Sequence, residues 1–243
     1  LKIFQKICSK IANFFKQSKF LKRPIILLIN ILFLPPLSAS LNPEMETEPY
    51  LLPKEHFYSA SIDKIFAKTQ DDITLETINK LGFRILNQLG LHILVARHPK
   101  IPGFVFKFFK YNKFPGIDWQ YWIKRVEGAK LIEQGIQQHG FKKFFKVPKK
   151  WLIKTHSHQW IDGFSYPAYV LMAEDMLPEQ KSRNMILWRQ KTTKSELEAL
   201  YTLLSTYGLR DCARIANVPR CKDGKIAFVD TESYHTWPVE YVS

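Results

Sequence analysis

Short apolar runs, separated by glycine or by proline-glycine, dominate the chain between residues 80 and 110. Three of them follow one another at Phe83–Leu86, Leu91–Ala96 and Phe104–Phe109. Short apolar runs bounded by turn signals predict β-strands, and their short connections predict an antiparallel meander. Lys107 interrupts the third run. The alternation of a strand favours a solvent-facing lysine. The functional alternative is a lysine that points into a cleft and holds an anionic ligand.

The longest helical pattern begins at Asp118, a potential cap, and continues to about Gly135. Its apolar stripe consists of Ile123, Val126, Leu131 and Ile132. Glu127 lies one turn from two members of this stripe and is therefore expected near the inward face. A buried carboxylate needs a cationic partner, because an unpaired buried charge is costly. Lys107 in the preceding strand is the candidate.

Two further helices are predicted by their termini. Residues 71–82 have acids in the first turn and Gly82 at the end. Ser195–Glu198 has the spacing of a capping box, and Gly208 closes the helix that follows. The apolar face expected for this helix consists of Leu197, Leu200, Tyr201 and Leu204.

Two more apolar runs end in acidic residues. Tyr166–Met172 predicts a strand that leads into an acidic, proline-terminated turn. Asp223-Gly224 is a turn signal, and the short strand after it ends at Asp230. A carboxylate at a strand end can hold a phosphate-bound Mg²⁺, because this ion takes oxygen ligands. The loop Asp211–Asn217 lies just upstream of this strand.

This order of parts resembles the protein-kinase-like fold, over roughly residues 80–235. The implied fold class is α+β with two lobes inside a domain of residues 71–243. An antiparallel β N-lobe with one helix would span about residues 80–173. A reduced, mostly helical C-lobe would span about residues 177–243.

The resemblance also implies roles for single residues in a site for ATP and Mg²⁺. The strand around Lys107 resembles the Val-Ala-Ile-Lys strand, whose lysine holds the α- and β-phosphates, and Glu127 takes the place of the helix glutamate that pairs with it. Glu174 and Met176 lie in a stretch similar to the hinge that binds adenine. Leu209-Arg210-Asp211 resembles the His-Arg-Asp motif.

Within this pattern, Asp211 would be the catalytic base, and Asn217 and Asp230 would be the metal ligands. The implied activity is an ATP-dependent phosphotransferase with an unknown protein or small-molecule acceptor.

The sequence also departs from the kinase pattern. No Gly-x-Gly-x-x-Gly separates the first two strands, and Thr231-Glu232 follows Asp230 where kinases have Phe-Gly. Asn217 lies six residues after Asp211, whereas the kinase motif places it five after. No Ala-Pro-Glu element follows. These departures keep open a second hypothesis, a catalytically inactive pseudokinase that acts as a binding module.

Residues 1–40 have the layout of a secretory signal peptide or an N-terminal membrane anchor. A basic segment precedes an apolar run at Ile25–Leu34, and Ser38-Ala39-Ser40 supplies small residues for cleavage. Export, or membrane contact through residues 1–34, is therefore expected, with a cytoplasmic protein as the alternative. Residues 41–70 predict a linker or an extended wrapping segment.

Composition adds a third hypothesis. The 243 residues carry a net charge of +14, and residues 41–243 retain +7. Residues 142–154 interleave lysines with aromatics, as in some proteins that bind nucleic acid. The third hypothesis is therefore a basic membrane- or nucleic-acid-associated protein without nucleotide binding. Solvated lysines beside packed aromatics are the commoner explanation of such a segment. Nucleic acid is for that reason the less favoured partner.

Cysteines and histidines give weak signals. Cys8, Cys212 and Cys221 show no metal-ligand spacing. The sequence leaves undecided whether Cys212 and Cys221 form a disulfide in an oxidising compartment, because it does not reveal the distance between them. His156 and His158 could supply two metal ligands, but no third is apparent nearby.

Overall fold

The computed structural model describes residues 43–67, 73–87, 93–109, 118–161 and 164–239. Within these ranges the chain has an α+β fold with a five-stranded antiparallel sheet and a two-stranded parallel pair. The strands are β1 (Arg84–Asn87), β2 (Ile93–Arg97), β3 (Phe104–Phe109), β4 (Phe145–Lys146), β5 (Lys150–Ile161), β6 (Phe164–Glu174) and β7 (Ile226–Ala227).

The large sheet contains the predicted meander. Its strand order is β1-β2-β3-β6-β5, and every neighbouring pair is antiparallel. The strand expected at Tyr166–Met172 is β6, which pairs with β3 and β5. The register sets Lys107 opposite Val95 on one side and Leu171 on the other. Lys107 therefore lies in the central strand.

Six α-helices surround the strands in the described ranges. They are α1 (Pro43–Thr47), α2 (Ser59–Phe66), α3 (Leu75–Lys80), α4 (Asp118–Gln138), α5 (Lys181–Lys191) and α6 (Lys194–Tyr207). Short 3-10 turns occupy Glu48–Tyr50, Phe141–Lys143 and Arg210–Ala213. The long helix predicted from Asp118 is confirmed as α4.

Both faces of the sheet are covered. On one face, Trp119 and Trp122 of α4 are fully buried in a cluster that includes Leu171 of β6. The other face packs through Phe106 against Phe66 of α2 and the α3 region. Because α4 covers the face that carries Lys107 and Leu171, strand alternation does not bring Lys107 to solvent.

Residues 43–66, within the segment predicted as a linker or an extended wrapping segment, form helices that pack on the sheet. Ile62 and Phe66 of α2 are 1% and 2% exposed. The backbone N–H of Leu52 donates to the carbonyl of Leu152 on the edge strand β5. Part of that otherwise free edge is therefore covered by the chain's own N-terminal segment.

Helix α6 begins two residues earlier than predicted. Its capping box is formed by Thr193 and Glu196, not by Ser195 and Glu198. Its buried face also differs from the predicted one and consists of Ala199, Leu200, Leu203 and Leu204, together with Glu196. Leu197 and Tyr201 of the predicted face are exposed. A threonine N-cap satisfies the same backbone donors as a serine, so local sequence did not distinguish the two starts.

Some predictions concern residues outside the described ranges. These are the signal peptide or anchor of residues 1–40 and the first-turn acids Asp71 and Asp72. The described part of the predicted 71–82 helix is α3, which Thr74 caps by accepting from the N–H of Thr77. Gly82 follows it with φ 87°, as a helix-ending glycine does. Among the described helices, none is both long and apolar enough to cross a membrane.

Candidate functional site

Five charged side chains come together where β3, α4, β5 and the segment after β7 meet. Three are buried cations, one from each of β3, α4 and β5, and two are carboxylates from the segment after β7. We call them the buried ionic cluster: Lys107, Arg125, Lys150, Asp230 and Glu232. Charges inside a fold are costly unless they are paired and hydrogen-bonded. Lys107 and Arg125 are paired with the carboxylates, whereas Lys150 is bound by a backbone carbonyl and a threonine hydroxyl.

Lys107 reaches into the interior from the middle of β3. It is 9% exposed, and its Nζ lies 3.3 Å from Asp230 Oδ1 and 3.2 Å from the Val229 carbonyl oxygen. Of the two orientations considered for this lysine, the structure has the inward one. The lysine and the aspartate, 123 residues apart in sequence, therefore belong to one site.

The expected pair between Lys107 and Glu127 is wrong. The carboxylate of Glu127 accepts hydrogen bonds from Tyr50 (2.5 Å to Oε1) and Tyr234 (2.6 Å to Oε2). The residue of α4 that enters the cluster is Arg125, which is 2% exposed. Two residues correspond to about 200° around a helix, so Arg125 and Glu127 point to nearly opposite sides of α4.

Arg125 binds both carboxylates of the cluster. Its Nη1 forms an ion pair with Asp230 Oδ1, the oxygen that Lys107 also contacts. Its Nη2 lies 2.6 Å from Glu232 Oε1, to which the Tyr121 hydroxyl donates at 2.7 Å. A guanidinium suits this place because its fixed fork serves two acceptors at once.

Lys150 donates hydrogen bonds to the residues on either side of Asp230. Its Nζ donates to the Val229 carbonyl at 3.3 Å and to the Thr231 hydroxyl at 2.6 Å. The Thr231 hydroxyl in turn donates to the backbone carbonyl of Arg125. Gly128 makes this approach possible, since a Cβ there would lie 1.8 Å from the Thr231 carbonyl oxygen. The segment carrying Asp230 is thus pressed directly onto the backbone of α4.

Asp211 and Asn217 lie beside the same segment. The Asn217 side chain donates to the backbone carbonyl of Asp211 at 2.8 Å, and the Val229 N–H donates to the Asn217 carbonyl at 3.0 Å. The thiol of Cys212 lies 3.1 Å from the Asp230 carbonyl oxygen. Asp211 lies in the 3-10 turn at Arg210–Ala213, and the backbone of Asn217 is bonded to Val229, the residue before Asp230.

The predicted hinge residues lie at the end of β6. Glu174 is the last residue of the strand, and its Oε2 accepts from the Lys149 N–H at 2.9 Å. The Met176 carbonyl accepts from the Lys146 side chain at 3.2 Å. This carbonyl is thus occupied by a lysine in the present conformation, and an adenine there would compete with that contact.

The disulfide that the sequence left open is not present, since Cys212 and Cys221 are both buried free thiols. Burial raises the pKa of Cys212 to about 12 and that of Cys221 to about 11. His156 and His158 are exposed on β5. Over the described ranges, no three or more His, Cys, Asp or Glu side chains form a group that could hold a metal ion.

Burial sets the electrostatics of the cluster. It lowers the pKa of Lys107 to about 7, with a further contribution from Arg125. Burial also lowers the pKa of Lys150 well below its usual range, as do the charges of Lys107 and Arg125. For Glu232, burial acts upward, but Arg125 and Tyr121 leave its pKa lowered. Arg125 and Tyr121 therefore favour the ionised form of Glu232, while the two lysines release protons more easily than usual.

Sequence patterns pointed to Lys107, Asp211, Asn217 and Asp230, but not to Arg125 or Lys150. Arg125 lies only two positions before the residue that was chosen, and helical spacing from Trp122 and Val126 would have favoured it. Lys150 had no distinguishing signal within a lysine-rich segment. No known protein family matches the sequence, and no characterised protein of similar sequence was found. Function must therefore be argued from the geometry of the site.

Proposed function

We propose that the chain is a kinase-like, ATP-dependent phosphotransferase with two lobes. The five-stranded sheet with α4 would be the N-lobe, and the region from about residue 177 would be the reduced C-lobe. The observation that carries the proposal is the contact between Lys107 of the central strand and Asp230 at the end of the β7 segment, 3.3 Å apart. Asp211 and Asn217 lie against that same segment.

The cluster fits an anionic ligand. Arg125 supplies a permanent positive charge, and Lys107, with a pKa near 7, can regain its proton when an anion binds. Phosphoryl transfer depends mainly on positioning and on the neutralisation of phosphate charge. In this proposal, Lys107 holds phosphate oxygens, while Lys150 and Arg125 hold the Asp230 segment in place.

Mg²⁺ would need oxygen ligands from the nucleotide as well as from the protein. Mg²⁺ sites of this type use one or two carboxylates plus substrate phosphates. Lys107 and Arg125 both contact Oδ1 of Asp230, so Oδ2 is the oxygen from which a metal could be bound. Asn217 would supply its amide oxygen.

Asp211 is the proposed base for the attacking hydroxyl. The test is Mg²⁺-ATP binding by calorimetry, followed by transfer of a radiolabelled γ-phosphate. Lys107→Ala and Asp230→Ala should lose binding or transfer, whereas Asp211→Asn should keep binding and lose transfer by about 10²–10⁴-fold, the usual contribution of a general base. Intact transfer by a folded Asp230→Ala protein would contradict the proposal.

One observation favours a second candidate, a pseudokinase-like binding module. Arg125 neutralises Asp230 directly, so this carboxylate has a counter-ion without any metal. In addition, Glu127 does not supply the helix glutamate that protein kinases pair with the lysine. The binding module predicts nucleotide affinity in the same calorimetric experiment but no transfer by the wild-type protein. The two experiments together therefore separate the candidates.

A further inference from the structure

The proposed base already has a hydroxyl group bound to it. The Oγ of Ser233 donates a hydrogen bond to Oδ2 of Asp211, 22 residues earlier in the chain. Both side chains are half-buried. A general base must lie within hydrogen-bond reach of the proton that it abstracts, and Asp211 meets this condition for Ser233.

Ser233 lies on a segment that is fixed on both sides. Before it, the Thr231 hydroxyl donates to the Arg125 carbonyl. After it, the N–H groups of His235 and Thr236 donate to the carbonyls of Tyr207 and Gly208, at 2.8 and 3.0 Å. Asp230, the proposed metal ligand, is only three residues away. The serine is therefore presented to the proposed site by the fold itself.

Neighbouring hydroxyls are engaged elsewhere. Thr231 is 1% exposed, and its hydroxyl both accepts from Lys150 and donates to the Arg125 carbonyl. The hydroxyl of Thr236 donates to the Tyr234 carbonyl. The Tyr234 hydroxyl donates to Glu127 on α4. Of the four hydroxyl side chains from residue 231 to residue 236, Ser233 is therefore the one that donates to Asp211.

We propose that Ser233 is a phosphate acceptor within the chain itself, modified in an intramolecular reaction. The inference rests on the proposed phosphotransferase function and adds its substrate. The Ser233 oxygen forms a bond to the γ-phosphorus of a nucleoside triphosphate, and the bond from that phosphorus to the bridging oxygen of the β-phosphate breaks. The hydroxyl proton passes to Asp211. The products are phosphoserine and a nucleoside diphosphate.

The product would weaken the contact from which it arose. Phosphoserine carries a charge of about −1.5 to −2 at neutral pH, and beside a carboxylate it is repelled. Modified Ser233 would therefore leave Asp211 and take part of residues 231–236 with it. The reaction would be self-limiting at one phosphate per chain, and it would leave Asp211 accessible to another hydroxyl.

The experiment is incubation of the full chain with Mg²⁺ and ATP, followed by intact-mass and peptide mass spectrometry. Wild type should gain one phosphate, located at Ser233. The fraction of chains modified per unit time should be independent of protein concentration. Ser233→Ala should gain none, and Ser233→Thr should regain it because a hydroxyl is restored. Thr236→Val is the matched control and should behave as wild type.

Calorimetry with Mg²⁺-ATP on the same four proteins separates this inference from the proposed function. No nucleotide affinity in wild type would overturn both. Affinity in all four proteins, combined with equal phosphate incorporation by wild type and Ser233→Ala, would overturn the Ser233 assignment alone. So would affinity without incorporation into wild type. If the fraction of chains modified per unit time rose in proportion to protein concentration, the reaction would be intermolecular and the intramolecular step would be overturned.

Discussion

Lys107 shows how burial changes the chemistry of a single side chain. A lysine normally keeps its proton up to a pH of about 10.4, yet here its pKa falls to about 7 because the ammonium group loses its hydration and faces Arg125. The nearby carboxylate of Glu232 offsets only part of this cost. Near neutral pH the lysine is consequently poised between its charged and neutral forms.

The lowered pKa of Lys107 predicts a pH dependence of stability. Above pH 7 the folded chain releases the Lys107 proton, whereas the unfolded chain keeps it up to its ordinary pKa. The unfolded state then binds more protons, so the contribution of Lys107 makes the free energy of unfolding rise by about 1.4 kcal/mol per pH unit within this window. Lys107→Met removes the titrating group and should reduce the slope by that amount between about pH 8 and 9.5.

Chemical denaturation at a series of pH values measures this slope. The matched control is Lys222→Met, at an exposed lysine outside the cluster, which should keep the wild-type slope. Equal slopes for wild type and Lys107→Met would show that Lys107 does not titrate in this range. The comparison requires no nucleotide, so it stands apart from the proposed function.

At the scale of elements, α4 is the part that organises the site. Its apolar side covers the sheet through Trp119 and Trp122. Arg125 enters the ionic cluster, and Gly128 lets the Thr231 backbone reach the helix. One helix thus packs the sheet and fixes the carboxylate segment. The position of Asp230 relative to Lys107 depends on both contacts.

Gly128→Ala should disrupt that arrangement. Alanine favours a helix by up to about 1 kcal/mol over glycine, but its Cβ would meet the Thr231 carbonyl oxygen at 1.8 Å. Backbone cannot yield as a flexible side chain can, so the segment must move away from α4. We expect a net loss of about 1–3 kcal/mol in unfolding free energy and weaker Mg²⁺-ATP binding.

Gly135→Ala on the same helix is the control. Its Cβ would meet the ring of Tyr207, a side chain, 2.5 Å away and outside the cluster. This variant should lose stability and keep nucleotide affinity. If Gly128→Ala were as stable as wild type and bound nucleotide equally well, the close approach of α4 to Thr231 would not be required for the site.

At the scale of the whole molecule, α4 is also where segments from the two ends of the described chain meet. Tyr50, in the N-terminal segment, and Tyr234, in the C-terminal segment, donate to the two oxygens of Glu127. The bond to Glu127 raises the pKa of Tyr50 to about 12, with burial adding to it. Glu127 therefore joins three distant parts of the sequence and does not serve the ionic cluster.

Glu127→Ala should cost stability and leave the site intact. Two tyrosine hydroxyls lose their acceptor, and a lost hydrogen bond to a charged group is worth about 1.5–3 kcal/mol. Denaturation should show this loss, while calorimetry with Mg²⁺-ATP should give the wild-type affinity. Ultraviolet titration should show Tyr50 ionising at lower pH than in wild type.

Glu133→Ala, at an exposed position of α4, is the matched control and should be unchanged in all three measurements. If Glu127→Ala lost nucleotide affinity at wild-type stability, Glu127 would have a role in the site after all. That outcome would revive the pairing with Lys107 in a conformation other than the present one.

Local sequence determined the meander, the long helix and the place of the last strand, but that strand is shorter than predicted, since β7 ends at Ala227, three residues before Asp230. Each depends on short-range information: apolar runs, turn residues and helical spacing. The same information indicated Lys107 and Asp230 as chemically interesting, whereas the roles of Asp211 and Asn217 were implied by the resemblance to the kinase pattern. It did not determine the start of α6, since Thr193 and Ser195 are equally good caps, nor that residues 43–66 form helices, since their pattern is short and interrupted by prolines.

Tertiary structure decided which charges meet. Whether Lys107 faces water or the interior depends on α4 covering that side of the sheet. The sequence of a strand does not reveal which element packs on it. The choice between Arg125 and Glu127 depends on the rotation of α4, which is set by the packing of Trp119 and Trp122. Lys150 and Ser233 acquire their partners only when segments 20 to 80 residues apart come together. The sequence supplied the groups, and their contacts arose from the packing of one helix between a sheet and a returning segment.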